Sequence, residues 1–221
     1  MAALPPAPDP QSLVLGWVHV GPGCIVVDKP SGLLSVPGRG EDKQDCAIHR
    51  VQARFPEALV VHRLDMATSG LLVFARSLAV QRELSEAFAG RQVEKRYVAV
   101  LGGLLATDEQ LIDLPLVTDW PNRPRQQVCH ERGKPSQTRL RVLSRDEAAR
   151  TTRVELTPYT GRSHQLRVHC LSLGHPILGD ALYAPPELLA AAPRLLLHAC
   201  ELGLPGTSLE PALALRSTPP F

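Results

Sequence analysis

"TTRVELTPYTGRSHQLRVHCLSLGHP" (Thr151–Pro176) changes its period halfway along. The first part, "TTRVELTPY", alternates in the way a strand with one wet face does. Beyond the polar turn "TGRS" the spacing becomes helical. Ser163 suits an N-cap, Leu166, Cys170 and Leu173 follow at i, i+4 and i+7, and Gly174 then Pro176 end the run. A strand that feeds a short helix through a turn, with an alternating strand "TRLRVLSR" before it and a strand "PRLLLHACEL" after it, is not βαβ repetition.

The rest of the chain reads the same way. "CIVVDKPSGLLSVPG" (Cys24–Gly38) gives a short strand over Ile25–Val27, a turn at Lys29–Gly32 and a second short strand ending at Pro37–Gly38, which is hairpin-like material. "QDCAIHRVQARFP" places Cys46, Ile48, Val51 and Phe55 at irregular helical spacing, stopped by Pro56. "LLVFARS" is apolar on both faces and reads as a buried strand. Ser77 caps a helix whose apolar residues Val80, Leu84, Ala87 and Phe88 share a face, with Gly90 near its end. "KRYVAVLGG", entered through Tyr97, is another buried strand. The expected class is α+β, a large mixed but mostly antiparallel β-sheet flanked by helices and loops.

Composition narrows the class. With 221 residues and 44% hydrophobic content the chain can bury a core. No apolar run is long enough to cross a bilayer, and the first ten residues lack a signal's basic and apolar regions, so a cytoplasmic protein without membrane association is expected. Residues 1–20 read as a flexible Pro-rich tail and residues 21–221 as one domain. Cys24, Cys46, Cys129, Cys170 and Cys200 never form a C-x-x-C pair, which fits reduced, mostly buried thiols. His164, His169, Cys170 and His175 are close in sequence, yet they match no zinc ligand spacing, and no metal is expected.

The net charge of +2 does not by itself indicate a polyanionic partner, but its distribution does. Arg123, Arg125, Arg132, Lys134, Arg139, Arg141 and Arg145 fall in one stretch with only Glu131 against them. A basic, turn-rich segment of this kind can follow a phosphate backbone. The bias of arginine over lysine, 20 to 4, accounts for the choice of cation but not for its clustering.

"VHRLDMATSG" (Val61–Gly70) supplies a candidate for chemistry. Run extended, it puts His62 and Leu64 on one face and Arg63 and Asp65 on the other. A carboxylate used as nucleophile or base must be ionised, and a guanidinium nearby favours that form. A second guanidinium, Arg167, shares a helical face with His164 at i and i+3. Tyr97 leads into a two-sided apolar strand, so its ring either packs in the core or lies at a cavity edge where it can stack on a base.

Taken in order, "DKPSGLLSVPG", "HRLDMATSG", "KRY", "TGRSHQLRVH", "GHPILGDALY" and "LLLHA" resemble the RluA family of RNA pseudouridine synthases, over about Ile25 to Ala199. The resemblance implies the pseudouridine synthase fold without an S4-type RNA-binding domain, no cofactor, and isomerisation of specific uridines in structured RNA. It implies Asp65 as catalytic aspartate, Tyr97 packed against the target base, Arg167 paired with the aspartate, and Arg63 in extrusion of the nucleotide. Arg123, Arg125, Arg162 and His164 are the further residues expected at the RNA. "DWPNRPRQQVCHERGKP" is similar to the RluA subgroup, which acts on the tRNA anticodon stem-loop and a 23S rRNA hairpin.

The reaction breaks N1–C1′, turns the uracil and forms C5–C1′. The carboxylate can attack C1′ or C6, or take the C2′ proton to give a glycal, and the residues do not choose among these. The partner expected is RNA, with no obligate protein partner and a monomeric enzyme. Two other readings are a non-catalytic RNA-binding or RNA chaperone protein on the same fold, and a hydrolase using Asp65 with His62 or His164, for which no G-x-S-x-G or paired-carboxylate pattern is present.

Overall fold

A computed structural model describes residues 13–221, so most of the N-terminal tail lies outside the described residues. The chain groups into two compact units, a central one of residues 96–197 with Phe221 and a terminal one of the described residues up to Lys95 together with 198–220.

In the terminal unit, β1 (Gly16–Val20) pairs antiparallel with β2 (Cys24–Lys29), and β2 with β4 (Ser69–Ala75). On β4 lie the two-residue β3 (Leu59–Val60), antiparallel, and β11 (Leu197–Leu204), parallel, and β12 (Leu213–Arg216) pairs antiparallel with β11. All seven residues of β4 are buried, as its two-sided apolar pattern predicts. Two helices belong here, α1 (Ala47–Gln52) and α2 (Leu78–Ala89). Ser77 caps α2 by accepting the Val80 N–H at 3.2 Å, and Val80, Leu84 and Ala87 pack on Val26, Leu71, Val73 and Leu202.

Two readings change. Residues 16–20, placed in the tail by composition, form β1, and it is β1 rather than Leu33–Pro37 that makes the hairpin with β2. Leu34 makes only an isolated bridge to Cys46. The backbone of this segment is used otherwise, because the Leu34 and Ser35 carbonyls accept the Ala47 and Ile48 N–H groups that open α1.

In the central unit, β5 (Glu94–Gly102, from Arg96 on), β10 (Thr151–Pro158), β9 (Gln137–Asp146) and β6 (Glu109–Asp113) pair antiparallel in that order. A hairpin of β7 (Leu116–Thr118) and β8 (Gln126–Val128) stands apart from them. The helices are α3 (Gln165–Ser172) and α4 (Pro186–Ala190). Alternation fixes two faces. One carries Tyr97, Leu156 and Leu140 at matched register, and α3 is tied to it where His169 and Gln165 reach Thr138 at 2.9 and 3.0 Å. The opposite face carries Arg96, Arg139, Arg141, Glu155 and Thr157, which with Tyr159 line an open groove of about 260 Å³.

Candidate active site

The Asp65 loop is held from beneath by the "KPSGLLS" segment. Ser35 clamps the residue before the carboxylate twice, its hydroxyl donating to Leu64 O at 2.7 Å and accepting Leu64 N–H at 3.0 Å. The Lys29 ammonium, fully buried, donates to Pro30 O, Leu33 O and Met66 O at 2.9, 2.7 and 3.1 Å. Gly32 N–H reaches the same Met66 carbonyl at 2.8 Å, and the Ser31 hydroxyl donates to Ala67 O at 2.6 Å. A buried cation is tolerable when carbonyl dipoles replace its water, and here the bond to Met66 O also fixes the chain just after Asp65, as Ser35 fixes it just before.

The loop closes by Thr68 N–H donating to Asp65 O at 3.1 Å and then enters β4. Gly70 has φ +114°, and a Cβ there would fall 2.5 Å from Ala199 N, so glycine is what permits the close approach of β4 and β11. Ser69 bonds His198 Nδ1 at 2.8 Å, His198 Nε2 bonds Ser217 at 2.9 Å, and Ser217 donates to the Asp28 carboxylate. The downstream "LLLHA" motif thus anchors the start of the strand that carries the loop.

Burial follows the expected alternation around the carboxylate. Leu64 is buried, Arg63 is exposed and Asp65 is half-buried. Among the described residues Arg63 makes no ion pair with Asp65, so the two charges adjacent in sequence are not partners. His62 is turned inward, stacked on Phe88 at a centroid distance of 4.6 Å, with Nε2 accepting the Val73 N–H at 3.2 Å. Burial, with the Lys95 ammonium adding to it, pushes this imidazole down to about 3. A neutral ring whose nitrogen is engaged by backbone is a structural acceptor, which removes His62 as the base of a hydrolase.

The second cluster belongs to the central unit. The helix starts one residue later than Ser163 predicts. His164 is the N-cap residue, in the left-handed region at φ 54°, and its Nδ1 lies 2.7 Å from the Tyr183 hydroxyl. Gln165 secures the turn, accepting from Thr160 Oγ1 at 2.7 Å and Arg162 N–H at 3.0 Å while donating to Gln137 O at 2.9 Å. Arg167 is buried, not surface-exposed. Its Nε and Nη2 meet the two Asp180 oxygens at 2.7 and 2.6 Å, and its guanidinium lies 5.0 Å from the Tyr183 ring centre. Asp180 Oδ1 also accepts the Leu182 and Tyr183 N–H groups. Asp180 and Tyr183, both in "GHPILGDALY", are therefore the parts of this cluster that local pattern does not reveal, because neither shows periodicity or an adjacent charge.

Tyr97 is half-buried on the sheet face that α3 covers. Arg162 is exposed and donates to Pro135 O at 3.3 Å. Arg123 and Arg125 lie in and after the β7–β8 turn, with Arg125 5.3 Å from the Tyr183 ring centre. The seven-cation stretch divides here. Arg139, Arg141 and Arg145 are on β9, and carboxylates from other strands or loops meet them: Glu109 at 2.8 Å, Glu155 at 3.1 Å and Asp108 at 2.7 Å. Only Arg123, Arg125, Arg132 and Lys134 belong to the hairpin and the loop after it, so the expected continuous basic track is shorter than its sequence.

His19, Cys24 and Glu210 offer ligand atoms within 4.8 Å of one another. His19 Nε2 and Glu210 Oε1 are 2.5 Å apart, a direct hydrogen bond and closer than two ligands of one tetrahedral zinc at about 2.0–2.2 Å would lie. Glu210 also accepts the Cys24 N–H at 3.0 Å, while burial and that carboxylate push the Cys24 thiol up to about 12. The trio is a hydrogen-bonded latch between the β1–β2 hairpin and the segment before β12. His164, His169 and His175 are engaged separately, by Tyr183, by Thr138 with Leu114 O, and by Gly102 O.

The α+β framework thus carries a hydrogen-bonded carboxylate loop in its terminal unit, and in its central unit a buried arginine beside an aromatic ring and a basic hairpin. The family model described as RNA pseudouridylate synthase matches residues 23–172, and the chain belongs to that family of isomerases. Within it, the chain is similar to the dual-specificity RNA pseudouridine synthase RluA of Yersinia pestis, at 59% identity over 80% of this chain and 86% of that protein. It is 58% identical to the RluA of Escherichia coli strain K12, with 86% of each covered. Among solved structures, human RNA pseudouridylate synthase domain containing 1 superposes with a TM-score of 0.80 at 31% identity, covering 96% of this chain and 87% of that one. No helix among the described residues is long and apolar enough to cross a membrane.

Proposed function

We propose that this isomerase converts uridines to pseudouridine in the loops of structured RNA, the tRNA anticodon stem-loop and a 23S rRNA hairpin, and that Asp65 is its catalytic carboxylate. The observation that carries the assignment of Asp65 is the convergence of Lys29, Ser31, Gly32 and Ser35 on the backbone of residues 64–67. A loop fixed by so many hydrogen bonds holds one side chain in a defined place, as preorganised catalysis needs. The dual specificity carried by the names of the RluA relatives supports two RNA targets.

The reaction is an isomerisation, so the atoms balance within the nucleotide and no cofactor is called for. The N1–C1′ bond breaks, the uracil turns while bound, C5 bonds C1′, and the C5 proton is lost as N1 gains one. A stacked base is out of reach, so the uridine must be flipped at a cost of a few kcal/mol, least in a loop. In this reading exposed Arg63 fills the vacated space, Tyr97 stacks on the uracil, Arg167 orients the carboxylate, and Arg123, Arg125, Arg162 and His164 contact the RNA. The enzyme works as a cytoplasmic monomer.

The test is incubation with tRNA and rRNA transcripts, followed by carbodiimide and primer-extension mapping of pseudouridine, with Asp65→Ala as control. The reading expects product at a loop uridine of each RNA and none with the variant. Binding without product by the parent chain identifies a non-catalytic RNA-binding protein instead. Product from Asp65→Ala removes Asp65 from the chemistry.

A further inference from the structure

The β7–β8 hairpin is anchored at its base and bare at its tip. Leu116 and Val128 pack with Val168, Leu171 and Tyr183, and the Gln126 N–H donates to the Tyr183 hydroxyl at 2.8 Å. The turn is closed by local bonds, Asp119 N–H to Arg125 O at 2.9 Å, Asn122 N–H to Asp119 O at 3.1 Å and Asn122 Nδ2 to Asp119 Oδ2 at 2.9 Å. This rigid turn holds Trp120 outward with 65% of its surface exposed, more than Trp17, the other tryptophan, at 40%.

An indole this exposed on a hairpin fixed by its own hydrogen bonds is not packing for the fold. Arg123 donates from Nε to Trp120 O at 3.1 Å and sets its guanidinium 4.5 Å from the indole centre. One face of the ring is thus backed by a cation, which holds its plane, while exposure leaves room on the ring for a second planar group. The charged residues of the hairpin and of the loop that follows it in the chain are Arg123, Arg125, Arg132 and Lys134, against Asp119 and Glu131, so the planar group is one that travels with phosphates.

We propose that Trp120 is a stacking platform for an unpaired base of the substrate RNA, a base other than the uridine that is isomerised. The inference rests on the proposed action on RNA loops and adds a residue that reads loop structure. A duplex hides its base faces and cannot use the platform, whereas a loop with splayed bases can. Trp120 thereby favours a stem-loop over a continuous helix before any base reaches Asp65.

The test uses the full chain carrying Trp17→Phe, which leaves Trp120 as the only tryptophan. An anticodon stem-loop transcript and a fully paired RNA duplex are titrated in, with binding followed independently by filter retention. The expected result is quenching of Trp120 emission by the stem-loop that saturates with binding, and little quenching by the duplex. In the parent chain Trp120→Ala and Trp120→Leu should raise KM about 5- to 150-fold, the range set by loss of one stacked base, and lower kcat far less. Trp120→Phe should recover most of the loss, and circular dichroism confirms that each variant folds. Retention of the stem-loop with unquenched Trp120, or an unchanged KM in Trp120→Ala, overturns the platform and leaves the RNA reading standing. If no RNA is retained by the parent chain, the RNA reading and the platform fall together.

Discussion

Arg167 and Asp180 form a two-bond ion pair whose side chains are only 5% and 1% exposed, with Nε–Oδ2 at 2.7 Å and Nη2–Oδ1 at 2.6 Å. Removing one member takes from the other its two-bond partner in the interior, and breaking a buried pair typically costs about 3–5 kcal/mol. Asp180→Ala should therefore lower the thermal midpoint strongly, while Asp180→Asn, which can still accept from Leu182 and Tyr183 N–H, loses less. In the folded fraction turnover should fall with both, since Arg167 loses the carboxylate that fixes its plane. Equal stability of Asp180→Ala and the parent chain in denaturant titration contradicts this.

Ser35 satisfies both backbone groups of Leu64, one residue before Asp65, the carboxylate proposed for catalysis. Ser35→Ala leaves the buried Leu64 N–H and C=O without the hydroxyl, at about 1–3 kcal/mol for each group left unsatisfied. The loop then shifts, so kcat should fall by more than stability alone explains, with KM for RNA little altered. A variant with parent kcat at full folding would separate the clamp from catalysis.

Gly70 sits at φ +114° with its Cα against the Ala199 backbone. In Gly70→Ala the methyl meets main chain, which cannot swing away, so a penalty of about 3 kcal/mol or more is expected from strain and parting of the β4–β11 pair. The result should be loss of soluble protein, read as a lowered denaturation midpoint rather than a selective loss of turnover.

What the sequence made legible was what local pattern controls. Ser77, Val80, Leu84 and Ala87 define α2 because cap and apolar stripe are both local, and "LLVFA" defines β4 because it is buried on both faces. Residues 33–37 look like a strand but are drawn into bonds with α1 and the Asp65 loop, contacts that alternation does not encode. "GWVHV" pairs with β2 although the Pro-rich composition before it reads as tail. Asp65 and Arg167 stand out by motif, yet the partner that buries Arg167 lies 13 residues on in an aperiodic turn. Arg139, Arg141 and Arg145 look unopposed in sequence only because their carboxylates come from positions 14 to 37 residues away.

His62 makes stability depend on pH in a defined direction. Its folded-state pKa is about 3 against 6.5 unperturbed, so between those values the unfolded chain binds the proton and the folded chain does not. Stability is full above pH 6.5 and falls as the pH drops toward 3. His169, also lowered by burial, adds in the same sense. His62→Gln keeps an acceptor for the Val73 N–H but does not titrate, so denaturation midpoints measured on either side of pH 6.5 should differ less than in the parent chain. An unchanged pH slope would mean that another group dominates it.

The division of the basic segment predicts which arginines touch RNA. Arg123 and Arg125 are on the hairpin that packs on α3, whereas Arg139 and Arg141 are on the opposite sheet face and already joined to Glu109 and Glu155. Each phosphate contact contributes to the fall of log affinity with log salt, so Arg123→Ala and Arg125→Ala should each reduce that slope by about one. Arg139→Ala and Arg141→Ala should leave the slope as it is, because a cation paired with a carboxylate releases few counterions on binding. Their effect should instead be a slight loss of stability, because exposed, solvent-screened ion pairs contribute little. If the sheet-face variants change the slope and the hairpin variants do not, RNA docks on the groove lined by Arg96, Arg139 and Arg141, and the hairpin is not its track.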